Sequence, residues 1–256
     1  MGNKIIRQWK IPPKLLTIET DQVHVWRICL DLQEQNSTKY AYILSENEAN
    51  KAEKFYFEVD RIRYKVMRTT VRMVLGNYLG IAPGDLEIAY SQYGKPYIST
   101  TSMKKDIHFN LSHAGDVGLI AVATSRHIGV DLELVRQESS IESIAKRFFT
   151  PEEAGHLLSL PASLQPEAFF TCWTRKEAFV KARGEGLSIP LDQFEVSFYP
   201  NNTPKLLCVR NDPGESGRWS MFHLDPGVDY VGALVVEGKD LDVTGWDWSR
   251  APIQVD

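Results

Sequence analysis

Apolar positions along this chain change their period several times, and the changes repeat. From Val25 to Leu32 (VWRICLDL) and again from Ile128 to Val135 (IGVDLELV), apolar residues cluster and alternate as in strands buried on at least one face. A helix start follows each run, at Ser45 (SENEA) and at Thr150 (TPEEA). In both, a capping hydroxyl precedes acidic residues that face the positive end of the helix dipole. Three-to-four spacing then links Tyr64, Met67, Val71, Val74, Leu75 and Tyr78, which predicts a long helix with one apolar stripe. The helical stretches end near glycine and run into extended segments, Leu79 to Tyr90 in the first case and Leu187 to Phe198 in the second. Similar strands, from Val117 (VGLIAV) and from Val231 (VGALVV), close the two series.

The offset between matched positions drifts from 105 (Glu48 to Glu153) through 108 (Glu87 to Glu195) to 114 (Val117 to Val231). A duplicated unit with small insertions accounts for that drift. The expectation is therefore an α+β fold, a pseudo-dimer of two similar halves at residues 1–125 and 126–256, joined between Thr124 and His127. Sites in such arrangements lie where the halves meet.

Composition narrows the function classes. Of 256 residues, 43% are apolar and 24% charged, which fits a globular protein with a real core. A net charge of −4 provides no overall basic footprint for nucleic acid. Cys29, Cys172 and Cys208 are scattered and form no CxxC pair, so they read as thiols of a reducing compartment. The first ten residues lack the apolar core of a signal peptide, and Ile6 stands where a myristoylation site wants Ser or Thr. The apolar run from Val117 to Ala123 is too short to span a bilayer. These features predict a cytoplasmic protein with no nucleic-acid or membrane partner.

Four short segments carry possible chemistry. Asp131 and Glu133 are two apart in a strand, so both carboxylates share a face, while Val130, Leu132 and Leu134 point to the core. Paired hard oxygens suit Mg²⁺, which completes its shell with water and substrate phosphates; an acidic solvated strand face is the simpler alternative. Between Phe169 and Leu187, one helical stripe holds Trp173, Glu177, Val180, Lys181 and Gly184. Glu177 can reach the cavity that the acidic pair faces, or can form a surface ion pair with Lys181. Tyr93 to Ile98 (YGKPYI) forms a turn that exposes Lys95, a point charge for phosphate or an ordinary hairpin lysine. His108 to Gly115 (HFNLSHAG) brings Asn110, Ser112 and His113 to a loop before a buried strand. After the acidic strand, the segment from Arg136 to Phe149 ends in Lys146, Arg147, Phe148 and Phe149. This mixture of charge and apolar surface suits an acidic protein partner, or a basic helix end whose aromatics are core.

In this order, YGKPYI, HFNLSHAG, IGVDLELV, AKRFFTPEE and CWTRKEAFVKARGEGL resemble the motifs of the Sfp-type 4′-phosphopantetheinyl transferases. The likeness runs from about Ser45 to Val236 and is strongest between Lys95 and Leu187. It implies transfer of the phosphopantetheine arm of coenzyme A to a serine of an acyl-, peptidyl- or aryl-carrier protein, releasing adenosine 3′,5′-bisphosphate. It implies Asp131, Glu133 and Glu177 as ligands of Mg²⁺, with Mn²⁺ able to replace it, and Glu177 and Lys181 as the catalytic pair. Lys51, Arg63, Lys95, Pro96, Ser112, His113 and Lys181 would bind coenzyme A. Arg136, Lys146, Arg147 and Phe148 would receive the carrier, and a chain that already holds both halves of a pseudo-dimer favours a monomer. Glu48 departs from the pattern, since relatives often carry lysine there. The same carboxylates would also serve a metal-dependent nucleotide phosphohydrolase, or persist in a non-catalytic carrier-binding protein. Among fatty-acid, polyketide, non-ribosomal peptide and lysine synthesis the residues make no choice.

Overall fold

The computed structural model describes residues 5–31, 40–99, 106–186, 189–199 and 202–251. In chain order the strands are β1 (Ile5–Ile6), β2 (Trp9–Lys10), β3 (Gln22–Cys29), β4 (Ile88–Tyr90), β5 (Pro96–Ile98), β6 (Ile107–Ala114), β7 (Val117–Thr124), β8 (Ile128–Leu134), β9 (Phe194–Val196), β10 (Leu206–Val209), β11 (Trp219–Leu224), β12 (Tyr230–Glu237) and β13 (Asp242–Asp247). The helices are α1 (Glu46–Ala52), α2 (Glu58–Leu79), α3 (Ile141–Phe148), α4 (Pro151–Ser159), α5 (Gln165–Arg183) and the single turn α6 (Glu215–Arg218).

Two sheets form the centre, a five-stranded one in the order β2-β13-β3-β7-β6 and a four-stranded one in the order β1-β11-β12-β8. The apolar faces dictate four layers. Alternate residues of β7 point in opposite directions: Ile120 and Val122 pack under α2 with Val71, Val74 and Leu75, while Leu119, Ala121 and Ala123 pack between the sheets with Val130, Leu132 and Leu234. Beyond the four-stranded sheet a third core joins Ala233 and Val235 to Phe179 and Ala182 of α5. The order across the molecule is thus helix, sheet, sheet, helix. Burying apolar side chains on both faces of each sheet contributes roughly 25 cal/mol per Å² removed from water.

The repeat read from the sequence is present in space. The chain leaves β7 at Thr124 and enters β8 at Ile128, passing from one sheet to the other. Pairings β3-β7-β6 in one half correspond to β8-β12-β11 in the other, and the β4-β5 hairpin to β9-β10. Ser45 with Glu48, and Thr150 with Glu153, each close a full capping box at the matching helix starts. The capping glutamates go further. Glu48 is buried against Arg68 and Arg72, and Glu153 is buried against Lys176. Arg72 also donates to the carbonyls of Pro83 and Leu86, as Lys176 does to those of Leu191 and Phe194.

Several boundaries differ from the sequence reading. The strand expected over Val25–Leu32 is β3, displaced to Gln22–Cys29, and Leu32 lies outside the described residues. After α2 the chain makes a 3₁₀ turn at Pro83–Asp85, so only Ile88–Tyr90 pairs as a strand. Leu187 and Ser188 lie outside the described residues, and the strand of that segment is Phe194–Val196. The sheets also cross between halves: β1 pairs in parallel with β11, and β13 is inserted in parallel between β2 and β3.

Candidate active site

A glycine decides how close α5 lies to β8. A Cβ at Gly129 would stand 2.1 Å from the Ala178 carbonyl oxygen and 2.3 Å from the Ala182 nitrogen, so only glycine lets helix backbone meet strand backbone there. That approach brings the Glu177–Lys181 turn of α5 over Asp131 and Glu133. β8 is consequently covered on both faces, and Asp131 is only 5% exposed. The acidic solvated strand face is excluded by this burial, and Glu133 is half-buried beside it.

Lys181 does not pair with Glu177. Its ammonium donates to Oδ1 of Asp131 at 2.7 Å and to Oγ of Ser112 at 3.1 Å, while the Ser112 hydroxyl donates to the same Oδ1 at 2.9 Å. The other carboxylate oxygen, Asp131 Oδ2, is buried and has no hydrogen-bond partner among the described residues. No ion pair within 4.0 Å is formed by Glu177 among those residues. Burial, followed by the neighbouring Asp131 charge, raises the carboxyl pKa of both Glu133 and Glu177 above the ordinary value. Three carboxylates therefore feel one another, with one lysine against the deepest of them. Among the described residues, no three His, Cys, Asp or Glu side chains stand close enough to hold a metal as they are.

Above this cluster opens a cleft of about 730 Å³ between the halves. Glu177, Val180, Lys181 and Gly184 of the α5 stripe form one wall; Lys51, Arg63, Tyr64 and Met67 of the first half form the other. Lys95, Pro96 and His113 also line it, so seven expected residues (Lys51, Arg63, Lys95, Pro96, His113, Glu177 and Lys181) meet in a single space. Ser112 is buried just beneath, on the Asp131–Lys181 pair. Cations outnumber acids on these walls, which favours an anionic occupant.

Individual groups differ from the sequence reading. Lys95 is not an exposed turn lysine. Its ammonium is half-buried and donates at 3.0 Å to the carbonyls of Ile128 and Ala182, across the junction of the halves. Burial lowers its pKa to about 8. Gly184, the left-handed residue that ends α5, makes room for the lysine stem, since a Cβ there would come within 3.1 Å of Lys95 Cδ. Arg63 is held by Asp31 through Nε and Nη2 at 3.0 and 2.9 Å. The Lys51 ammonium lies 5.6 Å from the Tyr64 ring centroid. Partial burial in the cleft, then the charges of Lys181 and Arg63, lower the His113 pKa. Glu48, the departure from the family pattern, is turned inward as the partner of Arg68 and Arg72 and does not line the cleft.

Arg136, Lys146, Arg147 and Phe148 lie near but outside the cleft. Lys146 pairs with Glu142 at 2.5 Å on the surface of α3, Arg147 covers the Phe148 ring, and Arg136 covers Phe170. Phe148 meets Trp173 edge to face, one turn before Glu177 on α5, whereas Phe149 is core. Sequence reasoning missed Arg68 and the tyrosine lining at Tyr64, Tyr90 and Tyr93. Asn110 accepts a hydrogen bond from the Val130 amide and so fastens β6 to the acidic strand. The loop expected for HFNLSHAG is instead strand β6, paired along its length with β7.

This assembly, with acidic groups under a cationic cleft at the seam of a duplicated α+β chain, is of the kind built for handling a phosphorylated substrate. Two family models divide the chain at the same seam: one described as 4′-phosphopantetheinyl transferase, N-terminal, matches residues 32–125, and the 4′-phosphopantetheinyl transferase superfamily matches 127–235. The 4′-phosphopantetheinyl transferase HetI of Nostoc sp. is 39% identical over 94% of this chain and 98% of its own. A putative 4′-phosphopantetheinyl transferase of Synechocystis sp. is 32% identical over 71% of this chain and 72% of its own. The Sfp transferase of Bacillus subtilis is 33% identical over 66% of this chain and 72% of its own. The chain belongs to the 4′-phosphopantetheinyl transferase family, and its activity is transfer of 4′-phosphopantetheine from coenzyme A to carrier proteins.

Proposed function

We propose that the cleft holds coenzyme A with its pyrophosphate over Asp131, and that the transfer depends on a divalent cation, Mg²⁺ or Mn²⁺. The observation that carries this reading is the orphaned, buried Oδ2 of Asp131 beneath a cation-lined cleft. An unpartnered buried carboxylate oxygen is costly unless a ligand completes it. Asp131, Glu133 and Glu177 offer only hard oxygens, which suit such an ion. When bound, the ion would neutralise pyrophosphate oxygens and favour their reactive geometry.

The protein groups supply the rest. Lys181 would stabilise charge on the departing phosphate, and His113, Arg63 and Lys51 would hold the nucleotide's phosphates, Lys51 and Arg63 near the 3′-phosphate. Ser112 positions the Lys181 ammonium through its hydroxyl. Pro96 would shape the wall against which the nucleotide rests. Lys95, with donors committed to two carbonyls, would place the wall and add one remaining hydrogen to the ligand. Glu177, whose carboxylate lines the cleft, would take the proton of the carrier serine as the serine oxygen bonds to the β-phosphorus. The bond from that phosphorus to the bridging oxygen breaks, and adenosine 3′,5′-bisphosphate leaves with the electron pair.

The carrier would dock on Arg136, Lys146, Arg147 and Phe148, because this surface continues through Trp173 to Glu177. The protein would act as a monomer in the cytoplasm, with 1–125 and 126–256 as the duplicated units. No described helix is long and apolar enough to cross a membrane. Intact-mass analysis of several apo-carriers with coenzyme A and Mg²⁺ tests the whole reading. Phosphopantetheine addition that chelator abolishes is the expected result; coenzyme A consumed without a carrier would favour the phosphohydrolase.

A further inference from the structure

Lys181 neutralises the carboxylate that a cation would have to meet at Asp131, taking one oxygen and leaving the other. Its ammonium takes Oδ1 at 2.7 Å and is steadied there by Ser112, whose hydroxyl bonds both partners. Asp131 is thereby neutralised on one oxygen while the other stays orphaned. The remaining carboxylates do not close into a cage around that orphan, among the described residues. The Lys181 side chain is 29% exposed and borders the cleft, so its head has open space to move into. A lysine carries its charge on a flexible four-carbon stem, which suits such a movement.

We propose that Lys181 is a competitor of the divalent cation for Asp131, and that coenzyme A removes the competition by drawing the ammonium onto its pyrophosphate. This rests on the metal reading above and adds an order to it: the nucleotide comes first, or carries the ion with it, and the bare protein binds the ion poorly. A positive charge held on Oδ1 of Asp131 weakens the pull of that carboxylate on a divalent ion at Oδ2, because like charges at such a distance repel in a partly buried site. Once Lys181 turns to phosphate, the two positive charges are separated by the ligand's own negative oxygens. Coupling of this kind is reciprocal, so the ion must also tighten coenzyme A.

The test is direct Mn²⁺ binding, followed by electron paramagnetic resonance, on protein freed of nucleotide. Wild type, Lys181→Met, Lys181→Gln and the double variant with Asp131→Asn are each titrated without and with saturating coenzyme A. Wild type should bind Mn²⁺ at least about tenfold more tightly with coenzyme A. Either Lys181 variant should bind Mn²⁺ about tenfold more tightly than wild type without coenzyme A, with a smaller further gain when it is added. Asp131→Asn should erase the variants' advantage. Lys181 variants that bind Mn²⁺ no better than wild type, while coenzyme A still strengthens wild-type binding, would overturn the competition and leave the metal reading standing. Absence of Mn²⁺ binding in every protein, even with coenzyme A, would overturn the metal reading itself. Circular dichroism of each variant identifies any that fails to fold, and the Met and Gln forms serve as replacements for each other.

Discussion

The ammonium of Lys176 stands 2.6 Å from Oε2 of Glu153, and its side chain is fully buried. Glu153 also accepts from the Thr150 and Val196 amides, so one carboxylate joins α4, α5 and β9. Removing one member of a buried pair leaves an uncompensated charge. Lys176→Met should therefore destabilise by about 3–5 kcal/mol, and adding Glu153→Gln, which removes the charge but keeps an acceptor oxygen, should recover part of that loss. Urea unfolding of the single and double variants measures it; a loss below about 1 kcal/mol would contradict the pairing.

Asp131→Asn and Glu133→Gln should lower transfer to an apo-carrier by at least about a hundredfold, since a metal contributes several kcal/mol to such a reaction. Their thermal unfolding should stay close to wild type. Full turnover by either variant in chelator-treated buffer would remove the metal assignment.

Glu177→Gln should slow single-turnover transfer more than Lys181→Ala, because an amide neither binds a cation well nor accepts the serine proton. The surface ion pair that would have made the two losses equal is absent, as Lys181 bonds Asp131 instead. A larger loss for Lys181→Ala would place the main burden on the lysine.

Much of this site was legible in the sequence, for a physical reason. Strand alternation places Asp131 beside Glu133, helical spacing aligns Glu177 with Lys181, and both rules operate within a few residues. What escaped depends on contacts between distant segments. Lys95 reads as a turn lysine until Ile128 and Ala182 arrive to take its donors. Glu48 reads as a lost ligand until Arg68 and Arg72 enclose it. Lys176 and Lys181 share one motif, yet the side of α5 each occupies makes the first a core group and the second a cleft group.

Lys95→Met should leave the Ile128 and Ala182 carbonyls unpaired at the seam and destabilise by about 1–3 kcal/mol. The coenzyme A KM should rise as the wall loosens. Chemical denaturation and steady-state kinetics together check it; unchanged stability with a raised KM would return Lys95 to the role of a simple phosphate contact.

Acid should weaken the fold through His24. This buried imidazole bonds the Tyr78 hydroxyl at 2.6 Å, and burial lowers its pKa to about 4 from 6.5. The unfolded chain takes up a proton in that window and the native state does not, so stability is full above the unfolded value and falls as pH drops from 6.5 toward 4. At pH 5 the loss from this one group should be about 2 kcal/mol. Urea midpoints for wild type and His24→Gln at pH 7.5 and 5 test it, the variant being the less sensitive of the two.

The insertion of β13 between β2 and β3 has a consequence for biosynthesis. Asp242 pairs with Gln22, and Trp246 lies between Lys10 and Trp26. While a ribosome is still making the second half, β3 therefore has one open edge, and its sheet cannot close until residues beyond 240 have emerged. Long-range pairing of this kind delays completion, so the nascent first half is the stage at which this chain most needs protection from aggregation.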